Sequence, residues 1–296
     1  MLTLTSSTQD PPACWTHRGG RRTNQDAAVA LRLEDGRELV AVADGMGGLV
    51  AGAVASRLAL ETLVLSLRQG AGLLQAVRSA NAAVYRAPAD HPEWQGMGTT
   101  LVALLRSAGQ YEVANVGDSR AYRVDQRGIE PLTRDHSFIA EAIERQELSL
   151  EEARRSPWRH AVTRALGLAP DVEVDTFGPF PIRAPHYLLL CSDGLVNSLP
   201  DASLRDQFAD DPGPETAAER LGSAALAAGS SDNVTAAVAR FGPPTRLSRT
   251  RHRAARRHGR PAMAASVWRT RLIEAAILAA AILAVVAFDI LLAKML

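Results

Sequence analysis

A chain of 296 residues that is 47% hydrophobic can bury a sizeable core and has room for one large domain or two smaller ones. Its formal charge of +1 hides an asymmetry: residues 241–296 hold nine Arg and one Lys against Glu274 and Asp289, or +8, so residues 1–240 carry −7. An acidic body argues against a nucleic-acid partner and suits divalent cations, and two cysteines are too few for a disulfide framework.

Residues 1–13 read as a lead without order, ending in Pro11-Pro12. The first ten residues are polar and lack the apolar stretch of a signal peptide. Residues 14–241 read as one folded domain. Runs rich in Val, Leu and Ala predict strands at 27–33, 39–44, 99–105, 111–116, 120–124, 187–192 and 234–241. Turn signals at Glu34-Asp35-Gly36 and Ser107-Ala108-Gly109 predict antiparallel hairpins. Cys191 lies inside an apolar run, which predicts a buried thiol and fits a reducing cytoplasm.

Helices are predicted at 50–67, with Val54, Leu58 and Leu65 on one side, and at 73–85 and 214–229. Helices set between blocks of antiparallel strands imply an α+β domain with layered sheets and helices outside. Residues 138–160 are charged and read as a mobile helical excursion at the domain edge.

Gly242-Pro243-Pro244 closes the domain. Residues 242–266 form a basic linker, and 267–296 a single hydrophobic helix. The 21 residues from 272 to 292 would span roughly 31 Å as a helix, enough to cross a membrane. Flanking arginines would leave the acidic body in the cytoplasm, anchored at the inner membrane, and the linker could lie on anionic lipid. The uninterrupted apolar run is only residues 275–288, so a helix docking on a partner stays open.

Four aspartates each follow or end an apolar strand. Asp44 precedes Gly45-Met46-Gly47-Gly48, Asp118 follows Asn115-Val116-Gly117, Asp193 precedes Gly194, and Asp232 precedes Asn233. One such aspartate is an ordinary turn residue. Four on separate strands would repel one another if their strand ends converged, and bound cations would remove that penalty. Oxygen-only ligands select hard ions such as Mg²⁺ or Mn²⁺.

Five segments, in order, resemble the PPM family, the PP2C-type protein phosphatases, in its bacterial form. They are Arg21-Arg22-Thr23-Asn24-Gln25-Asp26-Ala27, Ala43-Asp44-Gly45-Met46-Gly47-Gly48, Gly98-Thr99-Thr100, Asn115-Val116-Gly117-Asp118-Ser119-Arg120 with Cys191-Ser192-Asp193-Gly194, and Ser231-Asp232-Asn233-Val234-Thr235. The resemblance implies a four-layer α-β-β-α sandwich of two antiparallel sheets flanked by helices. It also implies metal-dependent hydrolysis of phosphoserine and phosphothreonine in proteins, opposing bacterial Ser/Thr kinases. By the same resemblance Asp44 bridges two Mn²⁺ or Mg²⁺ ions and Gly45 offers a carbonyl ligand. Asp193 and Asp232 complete the pair, Asp118 serves a weaker third ion, Asp26 orders the attacking water, and Arg21 clamps phosphate. Residues 138–160 fall where the family places a flap that touches substrate.

The sequence departs from the family pattern at Met46, where relatives often carry a proton-donating histidine, at Gln25, often acidic, and at Leu49 and Ala53. The general acid is therefore unassigned, and His136 is expected to be a structural hydrogen-bonding residue. Two readings compete with the enzyme: a catalytically silent phosphoprotein-binding module at the membrane, and a membrane-active tail with an accessory domain.

Overall fold

A computed structural model describes residues 10–48, 50–158 and 161–242. In chain order its elements are β1 (Ala13–His17), β2 (Asp26–Arg32), β3 (Glu38–Met46), α1 (Ala51–Arg68), α2 (Leu73–Arg86), β4 (Gly98–Thr99), β5 (Leu101–Ser107), β6 (Gln110–Val116), β7 (Arg120–Asp125), β8 (Gly128–Pro131), α3 (Phe138–Glu144), α4 (Leu150–Arg155), β9 (Asp175–Pro181), β10 (His186–Cys191), α5 (Asp193–Val196), α6 (Asp201–Asp206), α7 (Pro214–Ala227) and β11 (Val234–Phe241).

One sheet runs β1-β11-β10-β7-β8 and the other β2-β3-β5-β6-β9, with β4 beside β3. Every strand pair is antiparallel. The alternation of side chains along each strand then builds layers. Val40, Val42, Val102 and Leu104 meet Leu188, Leu190, Ala237 and Ala239 between the sheets. Leu39, Ala41 and Ala43 face outward onto α1 and α2. Leu189, Cys191, Ala236 and Val238 face outward onto α5, α6 and α7. Both faces of the central strands are covered, which is why β3, β10 and β11 read as continuous apolar runs. Cys191 is a buried thiol, as its setting in the sequence predicts.

The helices match the expected spans within two residues, but α1 packs through a different face. Ala51, Ala55, Ala59, Leu63 and Leu67 are its buried stripe, while Leu65, expected inside, is 57% exposed. Small alanines let the helix lie close to the sheet, so the bulkier Val54 and Leu58 end at the margin of the core. The expected strand at 99–105 is split at Thr100 into β4 and β5. Strands β1, β8 and β9 are additions to the expected set. All three are sheet edges, and β8 and β9 contain proline, so none carries a strong apolar alternation. Ala13, read as part of the lead, already belongs to β1.

Both predicted hairpins form, with Gly36 and Gly109 at positive φ in their turns. In the charged excursion, Ser137 caps α3, and Ser149 with Glu152 forms a capping box on α4. Among the described residues no helix is long and apolar enough to cross a membrane. Residues 243–296, and with them the expected linker and hydrophobic helix, lie outside the described residues.

β1 is held against α7 by a single small residue. A methyl group on Gly222 would lie 2.1 Å from a ring carbon of Trp15. Helix propensity alone favours Gly222→Ala by roughly 1 kcal/mol. Overpacking against the indole wins, and Gly222→Ala is expected to lose about 1–3 kcal/mol in chemical denaturation.

Candidate active site

The site forms at one end of the sandwich, where loops from both sheets meet. Asp26 opens β2 and lies directly opposite Asp44 in the β2–β3 register. β3 pairs with β5 as far as Val42 and with β4 from Gly45 onward. Thr100 clips the gap. Its amide donates to the Asp44 carbonyl at 2.9 Å, and its hydroxyl accepts from the Asp44 amide at 3.0 Å. The same hydroxyl meets Ser119 Oγ at 2.8 Å, which ties β3 to the loop carrying Asp118. Gly45 is required for close packing, because a Cβ there would stand 2.0 Å from the Gly52 carbonyl oxygen of α1.

Asp118 sits in the turn between β6 and β7. Gly117 adopts φ +106° there, with the Thr100 side chain pressed beneath it. His136 fastens this turn. Its Nδ1 accepts from the Gly117 amide at 3.1 Å, and its own amide donates to the Gly117 carbonyl at 2.9 Å. Nε2 therefore carries the ring proton and faces Asp175 at 3.2 Å. His136 is a buried structural residue, as expected.

Asp193 begins α5 immediately after β10, and its Oδ2 accepts from Asn197 at 3.0 Å. Asp232 precedes β11. Its Oδ1 accepts from the Asn233 amide at 2.8 Å and its Oδ2 from Arg21 Nη2 at 2.7 Å. Arg21 is thus at the site, 59% exposed, and ion-paired. Asn233, almost fully buried, shapes the loop that delivers it. Its Oδ1 accepts from the Gln25 amide at 2.8 Å, and its Nδ2 donates to the carbonyls of Arg18 and Thr23, each at 2.9 Å.

Arg21, Asp44, Gly45, Asp118, Asp193 and Asp232 line one cleft of ≈ 350 Å³. Its electrostatics are those of crowded carboxylates. Burial, then the charges of Asp26, Asp193, Asp118 and Asp232, hold the Asp44 carboxyl well above its usual range. Asp118 is pushed up to about 7 by burial, with Asp193 and Asp135 adding to it. Asp26 lies beneath the cleft and is also raised, chiefly by burial. This happens although Ser192 and Thr235 donate hydroxyl hydrogens to its Oδ2 at 2.7 and 2.6 Å. Its Oδ1 is buried with no hydrogen-bond partner among the described residues.

Such a donor set fits hard divalent cations: oxygen-only, acidic and set at the ends of strands. As the side chains stand, no three His, Cys, Asp or Glu groups among the described residues are gathered tightly enough to grip one ion. The carboxylates border the cleft and are turned toward protein donors, Asp232 toward Arg21 and Asp193 toward Asn197. Mutual repulsion favours that spread.

Charge at strand ends singles out Asp44, Asp118, Asp193 and Asp232, and the family resemblance adds Asp26 and Arg21, but both miss the neutral residues that position them: Thr100, Ser119, Ser192, Asn233 and Thr235. All five lie within the recognised segments, but their role shows only in their hydrogen bonds. Gln25, a departure from the family pattern, ties down the glycine loop. Its amide Nε2 donates to the Gly48 carbonyl, which a carboxylate could not do. Met46 lines the cleft and has no proton to give. Val162 carries the α3–α4 excursion to the cleft wall through its bridge to Ser137.

A family profile described as protein phosphatase 2C matches residues 16–228. The serine/threonine phosphatase stp of Listeria welshimeri is 36% identical over 231 residues, 74% of this chain and 91% of that protein. The structure of the PPM Ser-Thr phosphatase MsPP from Mycobacterium smegmatis, in complex with cacodylate, superposes with a TM-score of 0.69 at 38% identity, covering 80% of this chain and all of that one. The catalytic domain of the serine/threonine phosphatase PstP, solved in complex with 2 manganese ions, has a TM-score of 0.66 at 30% identity over 78% of this chain and 98% of its own. The chain belongs to the PP2C family of metal-dependent protein serine/threonine phosphatases.

Proposed function

We propose that this cleft removes phosphate from phosphoserine and phosphothreonine side chains of proteins and so opposes bacterial Ser/Thr kinases. The observation that carries the reading is the convergence of four aspartates from both sheets, Asp44, Asp118, Asp193 and Asp232, on one cleft with Arg21 beside them. Asp44, the Gly45 carbonyl, Asp193 and Asp232 would hold two Mn²⁺ or Mg²⁺ ions, and Asp118 a weaker third. When bound, the ions make water a nucleophile at neutral pH and neutralise charge on the phosphoryl oxygens.

The protein's own groups supply the rest. Arg21, exposed at the rim, exchanges its contact with Asp232 for two oxygens of the incoming phosphate, which its planar fork suits. Asp26 offers the lone pairs of Oδ1 to a water and fixes its orientation. With Met46 in place of a donor, the leaving serine oxygen takes its proton from solvent. The apolar pattern at 272–292 and the flanking arginines support a further reading, in which a domain of residues 14–241 is tethered to the inner membrane by a C-terminal anchor.

Three outcomes test this. Asp44→Ala, Asp193→Ala and Asp232→Ala should each reduce Mn²⁺-dependent phosphate release from a phosphothreonine peptide by about 100- to 1000-fold, and Arg21→Ala should raise KM. Turnover by Asp44→Ala at the wild-type rate would overturn the assignment.

The second concerns pH. The raised carboxyls bind more protons folded than unfolded, so with chelator the stability they lend is present at low pH and fades as pH rises. For Asp118 the window runs from its ordinary 3.8 to about 7. The thermal midpoint in EDTA should fall across that window, and Mn²⁺ should abolish the fall. Third, removal of residues 242–296 should release the protein from membranes with catalysis intact, as read by fractionation and phosphate release.

A further inference from the structure

Among the described residues the two sheets have four edges, and three are guarded. β8 ends in Pro131, β9 contains Pro179 and Pro181 and is bulged against β6, and β1 is a five-residue strand ending in Thr16 and His17. β2 is different. It is seven residues long, runs in unbroken register with β3, and reads Asp-Ala-Ala-Val-Ala-Leu-Arg, with no proline.

Its ladder can be phased. The Gly45 amide donates to the Gln25 carbonyl, and the Leu33 amide donates to the Arg37 carbonyl. Odd-numbered residues therefore bond to β3, and alternation turns the amides and carbonyls of Ala28 and Ala30 to the outer edge. Beside that edge a groove of ≈ 400 Å³ separates β2 from α1. Val29, Val64 and the exposed Leu65 give it an apolar wall, and its charged lining is Arg57, Glu61 and Arg68, with arginine in excess.

The groove lies next to the cleft, with Ala27 lining the one and Gln25 the other. Gln25, the residue before β2, lines the cleft, and its carbonyl accepts from Ser56 Oγ at 2.6 Å, one residue before Arg57. We propose that the open edge of β2 receives an extended stretch of the substrate polypeptide flanking the phosphorylated residue, as an added strand with an acidic side chain near Arg57. This rests on the phosphatase reading of the cleft. Backbone bonds to Ala28 and Ala30 would give affinity without strict sequence demand, while Arg57 and Leu65 would supply a preference for acidic and apolar neighbours. The position of the groove, two residues along the chain from the cleft lining, favours substrate over a second copy of this chain.

The test uses the full chain with Mn²⁺ and three substrates: para-nitrophenyl phosphate, a phosphothreonine peptide with about six residues on each side, and the same peptide N-methylated at alternate flanking amides. N-methylation should raise KM about tenfold by deleting ladder bonds. Arg57→Glu and Leu65→Asp should raise KM for the unmodified peptide by a similar factor, about tenfold, and leave para-nitrophenyl phosphate kinetics unchanged. Equal KM for methylated and unmethylated peptides would overturn the proposal. So would a concentration-dependent dimer that Leu65→Asp abolishes while peptide KM stays fixed. Failure of the wild type to hydrolyse para-nitrophenyl phosphate would instead overturn the phosphatase reading itself.

Discussion

Carboxylates that repel one another are brought by the fold to the border of a single cleft. Asp26, Asp44, Asp118, Asp193 and Asp232 come from widely separated parts of the chain, and each is fixed at its backbone by neutral hydrogen-bonding groups or by the ladder of a sheet. The fold holds the repulsion in place, and burial together with that repulsion raises the affinity of Asp26, Asp44 and Asp118 for protons. A cation of double charge relieves the same strain more effectively than a proton, which links metal affinity to the stability of the sandwich.

The clamps that hold this arrangement are few. Thr100 interrupts one strand and joins β3 to the turn carrying Asp118. Asn233 fixes the loop of Arg21 from the opposite sheet. Ser192 and Thr235, from neighbouring strands of that sheet, converge on Asp26 in the other. The site is therefore an inter-sheet structure, and it depends on how the two layers are packed face to face.

Much of this was legible in the sequence. Central strands such as β3, β10 and β11 are apolar on both faces and stand out by composition. The four strand-end aspartates could be named because charge beside an apolar run is conspicuous, whereas Arg21 comes only from the resemblance of its segment to the family. What could not be read were edge strands, whose pattern is diluted by proline and polar residues, and the packed face of α1, where alanines outcompete larger side chains for closeness to the sheet. Polar clamps such as Asn233 were hidden because an amide's worth depends on which carbonyls the fold brings to it. The pairing of Arg21 with Asp232 was likewise invisible, since 211 residues separate them.

The placement of β11 has a consequence for how the enzyme is made. The strand that comes last in the sequence of the domain lies between β1, which comes first, and β10, and the residues just before it supply Asp232 and Asn233. On a ribosome the sheet would hold a gap until residue 241 had emerged from the exit tunnel. Until then β1 lacks its neighbour, the Arg21 loop lacks its anchor, and the cleft lacks one of its acids. A nascent chain would thus stay silent through synthesis and gain its activity in one late, cooperative closure.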